Sequence, residues 1–451
     1  GPPAGPRGRA GSMTGTTYPV GPLSYERTVQ AVSEALASQM PDILLDAVGV
    51  WCVRFFNPGG YDSPLQDMGK VLYLDSDYIN AIISETGYFT KPGIHKYNFA
   101  TGKSDWFVEM PNSVGGLDAA GGKVVAAGRK EIKLIKLADG SVLKTIADVG
   151  DMTMGNVYEV MFDPEDDNVI YFTDTWRHVL VKHNLETGEQ LIFGEPGVSG
   201  SDLSHLNKPL GVGFRYHGGR LAVTVCDREN NRILVLDRDT LDVGRLYYAN
   251  NPAFYSQMYY RFADGFRWVP MDLFSMGSPE GDRAGFLVLS AESGRQLGYT
   301  PLGLEWPCMT PDFECVSACQ VFHVLIDLRR FISAGMWRRV PPYTQILWRN
   351  HSITDTTDGD ATKPVVSALW NNALVMIRSD QGGTAYIEVP DDIIREGVLV
   401  RVPPDHGWET WDSFDISSGW NHYAPTISPP CFRIRVVPSA SATVSCIVRM
   451  T

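Results

Sequence analysis

Asn207-Lys-Pro-Leu-Gly-Val-Gly-Phe214, Gly218-Gly-Arg-Leu-Ala-Val-Thr-Val225 and Asp227-Arg-Glu-Asn-Asn-Arg-Ile-Leu-Val-Leu-Asp237 decide how this chain folds. Apolar side chains alternate through each run, and the breaks between runs are short and polar. The Gly218-Gly219 pair and the Asn230-Asn231 corner are tight-turn chemistry, so the window reads as three short strands joined by hairpin turns. Val223, Val225, Ile233 and Val235 are its expected interior positions.

Weaker copies of the same hairpin precede it. Val71-Leu-Tyr-Leu-Asp75 and Gly93-Ile-His-Lys-Tyr-Asn98 lead to a turn at Thr101-Gly102. Gly121-Gly-Lys-Val-Val-Ala126 and Ile132-Lys-Leu-Ile-Lys-Leu137 lead to Asp139-Gly140, and Val169-Ile-Tyr-Phe-Thr-Asp174 and Val179-Leu-Val-Lys-His183 lead to Thr187-Gly188. The three turn glycines lie 38 and 48 residues apart. A four-stranded repeat unit takes about 40–50 residues. A further copy runs from Val269-Pro-Met-Asp-Leu-Phe274 through Gly285-Phe-Leu-Val-Leu-Ser290 to Arg295-Gln-Leu-Gly-Tyr299.

The order Leu-Asn-x-Pro-x-Gly-Val, turn, apolar strand, Asp-x-x-Asn-Asn-Arg-Ile, apolar strand, Asp over 207–237 resembles one blade of the NHL-repeat β-propeller family. The resemblance implies a ring of blades, because a single blade cannot bury its own faces. The expected fold is therefore mainly β: a propeller of five or six blades over 61–306, followed by a β-sandwich or jelly-roll-like module over 342–451. A β-sandwich containing several hairpins is the competing reading, and recurrence of the hairpin in order favours the propeller. In the module, Ala373–Ile377, Thr384–Val389, Gly397–Val402, Phe432–Val437 and Ala442–Val448 read as strands, with a rival assignment of 364–376 to a sixth blade.

Around this core the sequence changes character. Residues 1–12 carry glycine at 5, 8 and 11, the period of a collagen triple helix, in which only glycine fits at the axis. They read either as the end of a collagen-like stalk, which would make the chain trimeric, or as a flexible linker or expression remnant. Within 13–60, Val29, Val32, Leu36, Met40, Ile43 and Leu44 recur at helical spacing, with Pro41 dividing two short helices. Residues 307–341 read as a helical connector, on which Cys315, Cys319 and His323 share a face.

Lys and Arg total 39 against 52 Asp and Glu, a formal charge of −13, which opposes undirected binding to phosphate backbones. No segment reaches the roughly 18 unbroken apolar residues of a membrane span. Nucleic-acid binding and membrane insertion are therefore not expected. Seven cysteines show no disulfide framework.

The chemistry-bearing motifs of hydrolases, metalloproteases, phosphate loops and dinucleotide binding are missing. His178 and His183 with nearby Asp174 offer an imidazole–carboxylate combination, but five residues of strand alternation turn the two rings to opposite faces. Cys308, Cys315, Cys319 and His323 have zinc-type donors without the paired Cys-x-x-Cys spacing of structural sites, and the apolar residues around them point to core. Neither a metal nor a cofactor is expected.

Binding chemistry concentrates in 407–423, where Trp408, Trp411, Trp420, His422 and Tyr423 stand among short polar residues. Indole faces flanked by hydrogen-bonding groups suit sugar rings and subunit interfaces equally. The expectation is a non-catalytic structural or binding protein, a surface-displayed adhesin or a virion or appendage component used in host attachment. Its partners are glycans, other proteins or copies of itself, at an extracellular or virion surface. The resemblance also allows an NHL-type propeller enzyme, of the lyase or lactonase class, acting on a small molecule.

Overall fold

The computed structural model describes residues 53–56, 68–75, 79–85, 87, 91–111, 114–217, 219–262, 265–276, 286–293, 296–300, 305–309, 314–319, 322–327, 342–396, 398–425 and 428–451. The leader at 1–12 and the helical stripe at 29–44 lie outside them.

Among the described residues, six four-stranded antiparallel units make the first part of the chain. Blade 1 comprises Met68–Tyr73, Asn80–Glu85, Gly93–Asn98 and Lys103–Glu109. Blade 2 comprises Val114–Ala120, Lys123–Gly128, Glu131–Lys136 and Val142–Ile146, and blade 3 Val157–Phe162, Val169–Asp174, Val179–Asn184 and Gln190–Phe193. Blade 4 is Pro209–His217, Arg220–Asp227, Arg232–Asp237 and Val243–Tyr248, and blade 5 is Pro252–Phe262, Gly265–Met276, Phe286–Ser290 and Gln296–Thr300. Blade 6 is Glu305–Met309, Glu314–Cys319 and Phe322–Asp327, with Val53–Phe56 as its outermost strand. The first strand of each blade packs against the first strand of the next, and that of blade 1 packs against blade 6. The ring is closed. Because Val53–Phe56 pairs in register with His323–Ile326, opening the ring would strip a complete edge ladder.

Two features separate these blades from the sandwich alternative. Middle strands are buried almost throughout: Val169–Asp174 at every position and Arg232–Asp237 at all but the last. A strand covered on both faces by neighbouring blades should look like this. Val223 and Val225 share a core with Tyr171 and Leu180 of blade 3, while Ile233 and Val235 meet Tyr255 and Phe274 of blade 5. The second feature is the turn register. Lys130, His178 and Asn231 adopt φ of 69°, 58° and 52° between the second and third strands of blades 2, 3 and 4. Ten residues after each, Gly140, Gly188 and Leu241 adopt φ of 75°, 76° and 61° between the third and fourth. In blades 1 to 4 the amides of Gly102, Gly140, Gly188 and Leu241 donate to the carbonyls of Asn98, Lys136, Asn184 and Asp237, each over 2.9 Å.

The C-terminal module is a β-sandwich. One sheet runs Tyr343–Ile353, Ala442–Met450, Ala373–Ser379, Gly419–Tyr423, and the other runs Asp360–Ala361, Cys431–Pro438, Gly383–Pro390, Trp408–Ile416. Burial alternates along Ala442–Met450 and Cys431–Pro438, as one-sided strands require. The module does not hang free of the ring. Leu399–Val402 extends the sheet of blade 4 by pairing with Leu246–Tyr248. Asn231 donates to the Pro364 carbonyl (2.6 Å) and Gln345 donates to the Asn231 side-chain oxygen (2.9 Å). Asn250 donates to the Val366 carbonyl (2.6 Å) and accepts from the Val366 amide (2.8 Å). A single apolar cluster continues from Tyr247, Tyr255 and Phe274 into Ile387, Ile434 and Val448.

Several expectations need correction. The helix placed over 307–341 is strand at Glu305–Met309, Glu314–Cys319 and Phe322–Asp327. A four-residue spacing is a multiple of the strand period as well as close to one helical turn, so Cys315 and Cys319 fitted either. Within 13–60, Val53–Phe56 is strand rather than helix, recruited to the last blade. Residues 364–376 do not form a blade; Val365–Val366 and Ala373–Ser379 belong to the two sheets of the sandwich.

Candidate functional site

The ring axis carries a buried polar cluster. Lys70 on the first strand of blade 1 reaches Glu159 on the first strand of blade 3, 3.1 Å away, with the side chains 2% and 1% exposed. Their contact spans blade 2, whose intervening strand carries Gly115 and Gly116. A Cβ on Gly116 would lie 2.1 Å from Glu159 Oε1 and 2.9 Å from its Cα. Burial pushes the Glu159 carboxyl up to about 7, against the opposing pull of the Lys70 ammonium, with Asp118 adding repulsion. Glu159 Oε2 has no hydrogen-bond partner among the described residues. In blade 1, burial holds the His95 imidazole down at about 4 although Glu85 stands 3.8 Å away. The axis thus holds a buried carboxyl, paired with Lys70, whose pKa burial raises to about 7.

The rim on the side of the Lys130, His178 and Asn231 turns is built by carboxylates that end second strands. Asp174 accepts from the amides of Gly155 (2.6 Å), Asn156 (3.0 Å), Trp176 (3.1 Å) and Arg177 (3.0 Å). Its oxygens are committed to shaping the loop that enters blade 3. His178 accepts from the Lys208 amide (3.0 Å), while the ring nitrogens of buried His183 have no partner among the described residues. Burial lowers the pKa of both imidazoles. His178 sits in the turn and His183 in the strand that follows, and neither bonds to Asp174, so the structure does not assemble an acid–base pair there.

Asp227 repeats the device in blade 4. It accepts from the Asn207 amide (2.7 Å), Asn230 Nδ2 (2.7 Å) and Arg232 Nε (2.6 Å). The remaining Arg232 nitrogens donate to the carbonyls of Ser201, Asp202 and His205. One buried guanidinium therefore latches the long 194–208 loop to the ring. On that loop His205 meets Asp202 (2.9 Å) and Glu195 (3.5 Å), which raise its pKa. Trp176 is 52% exposed beside it on the rim, with the Arg129 guanidinium 5.5 Å from its ring centroid.

The five residues singled out in 407–423 do not form one cluster. Trp408–Ile416 is the edge of one sheet and Gly419–Tyr423 the edge of the other, so the chain crosses between sheets at Ser417-Ser418. Tyr423 and Phe414 stack between the sheets, with centroids 4.2 Å apart and an interplanar angle of 8°, and the Tyr423 hydroxyl donates to Asp412. Trp408 is partly buried against Tyr248 and His406, under the Arg433 guanidinium at 4.4 Å. Trp420 and His422 are exposed, alternating with the inward Asn421 and Tyr423. Trp411 is the extra residue of a β-bulge opposite Ile387 and Glu388. It is 52% exposed and Trp420 is 51% exposed. The structure thus leaves two indoles on two adjacent edges and uses Trp408 and Tyr423 for packing.

Among the described residues no group of three or more His, Cys, Asp or Glu is placed to hold a metal ion, and no helix is long and apolar enough to cross a membrane. Cys226, Cys431 and Cys446 are free and buried, and burial raises their thiol pKa values. Sequence reasoning missed Lys70 and Glu159, which stand 89 residues apart and share no motif. It also missed Arg232, although its place after Asn230-Asn231 in the clearest repeat was a usable signal.

No protein-family model matches the chain, and no curated protein matches it in sequence. A solved structure of streptogramin B lyase is similar to 57% of this chain and 79% of that chain, with 13% identity and a TM-score of 0.39.

Proposed function

We propose that this chain is a non-catalytic binding and assembly protein. The closed propeller is its scaffold, and the sandwich edges that no described strand covers are its contact surface. The observation that carries this reading is the pair Trp411 and Trp420, 52% and 51% exposed on adjacent edge strands. Large exposed rings beside unpaired strand edges mark contact sites, because both gain by being covered. The finer reading is a surface-displayed adhesin or virion component with an NHL-like propeller, engaging glycan or a second copy of itself. The glycine period at 5, 8 and 11 supports it by pointing to a stalk. Trp411→Ala and Trp420→Ala test it through sedimentation mass and glycan-array binding. Loss of glycan signal at unchanged mass supports recognition, and loss of mass supports assembly. If both readouts match the parent in both variants, the proposal fails.

A second reading, a propeller enzyme, is favoured by Glu159 with its pKa near 7 on an innermost strand. Thermal-shift screening against small molecules tests it. A stabilising ligand that the parent converts to product, with the conversion lost in Glu159→Gln, supports the enzyme.

A further inference from the structure

The outer face of the second sandwich sheet carries an arginine fork. Arg433 stands across from Glu388 and Arg435 across from Tyr386 in the ladder between Cys431–Pro438 and Gly383–Pro390. Glu388 is 5% exposed and divides its carboxylate, Oε2 accepting from Arg433 Nε (2.7 Å) and Oε1 from Arg435 Nε (2.6 Å). Each guanidinium lies over an aromatic ring: Arg433 is 4.4 Å from the Trp408 centroid and Arg435 is 4.3 Å from that of Tyr386. The result is a row of ring, cation, carboxylate, cation, ring.

This arrangement leaves donors unspent. Arg435 Nη1 donates to the Asp358 carbonyl (3.0 Å). Among the described residues, Arg435 Nη2 and both Nη groups of Arg433 have no protein acceptor. Both side chains are 26% exposed, so those nitrogens reach solvent. Two cations around one anion leave a net single positive charge, on a chain whose formal charge is −13. Stacking and the Nε bonds fix the planes of both guanidiniums, so little side-chain freedom remains to be lost on binding. A fixed guanidinium fork matches a planar carboxylate through two parallel hydrogen bonds. Trp411, three residues beyond Trp408 on the neighbouring edge strand, is 52% exposed, and an open indole of this kind stacks on the C–H face of a sugar.

We infer that Arg433 and Arg435 form a subsite for the carboxylate of an acidic saccharide, of the uronic-acid class. This rests on the recognition arm of the function proposed above and names its ligand chemistry. The test is calorimetric titration of the full chain with oligogalacturonate, its methyl ester, dextran sulfate and poly-L-glutamate. Oligogalacturonate is expected to bind about tenfold or more tighter than its methyl ester, and Arg433→Gln should remove that preference. Arg433→Lys, which keeps the charge without the fork, should lose most of it and serves if the Gln variant does not fold. Equal affinity for acid and ester, or an Arg433→Gln variant that folds and binds as the parent does, overturns the inference. Poly-L-glutamate binding as tightly would overturn the sugar class, and tighter dextran sulfate binding would overturn the carboxylate. If an array glycan binds through Trp411 while all these titrations are flat, the subsite fails and the broader function stands. If Trp411→Ala leaves both mass and glycan binding unchanged yet the acid preference persists, the subsite stands without the edge.

Discussion

Replacing Arg232 by Ala removes the latch of the 194–208 loop, and its cost follows from what is stranded. Arg232 is 4% exposed and Asp227 fully buried. The substitution takes one of three donors from the Asp227 carboxylate and removes the guanidinium donors from the carbonyls of Ser201, Asp202 and His205. Breaking a buried ion pair from one side costs about 3–5 kcal/mol, because an uncompensated charge stays behind. Asn207 and Asn230 still donate to Asp227, which places the expected loss near 3 kcal/mol rather than 5. Burial already raises the Asp227 pKa against the pull of Arg232. With the guanidinium gone, the carboxyl can escape its penalty by taking up a proton, so the loss should shrink as pH falls from 8 towards 5. Urea denaturation at both pH values measures the loss, and limited proteolysis reports whether cleavage within 195–206 accelerates. In the cycle with Asp227→Ala, the double variant should be more stable than additivity allows. A loss under about 1 kcal/mol, together with unchanged cleavage, would refute the latch.

Gly116→Ala should destabilise by about 1–3 kcal/mol, since its methyl would collide with the Glu159 backbone as well as its carboxyl; a thermal melt matching the parent would place the Lys70–Glu159 contact elsewhere. Leu241→Gly relieves a left-handed residue worth roughly 1–2 kcal/mol but gives up a 3% exposed side chain worth roughly 1.5–3 kcal/mol plus its cavity, so denaturant titration should show a net loss. A stabilised variant would reverse that ranking. His95 has a folded pKa near 4, below its unfolded 6.5. Its contribution is therefore complete above 6.5 and lost as pH falls towards 4, up to about 3 kcal/mol. His95→Gln should lose less stability than the parent across that window, and parallel pH profiles would contradict the burial argument.

The repeat was legible because tight turns demand particular residues. Gly102, Gly140 and Gly188 mark three blades through their left-handed conformation. The fourth copy was obscured at that position because Leu241 takes the same conformation, held by burial in the core instead of by glycine's freedom. Ring closure was illegible for a different reason. Val53–Phe56 pairs with a strand about 270 positions away, and a short apolar strand carries no record of a distant partner. Blade 6 was lost to the shared four-residue period of helix and strand. In the sandwich, the aromatic density of 407–423 was visible, but adjacency in sequence did not survive the crossing at Ser417-Ser418. Glu388, Arg433 and Arg435 meet only through strand register, which local spacing does not encode.

Three indoles are almost equally open: Trp176 on the propeller rim at 52%, and Trp411 and Trp420 on the sandwich edges at 52% and 51%. Oxidative footprinting of these three, with and without the glycan or self-association partner identified by the array and sedimentation, measures which surface is covered. The sandwich-edge account predicts that Trp411 and Trp420 lose reactivity while Trp176 keeps it. Protection of Trp176, with both sandwich indoles as reactive as in the free protein, would place the contact on the propeller and contradict the account.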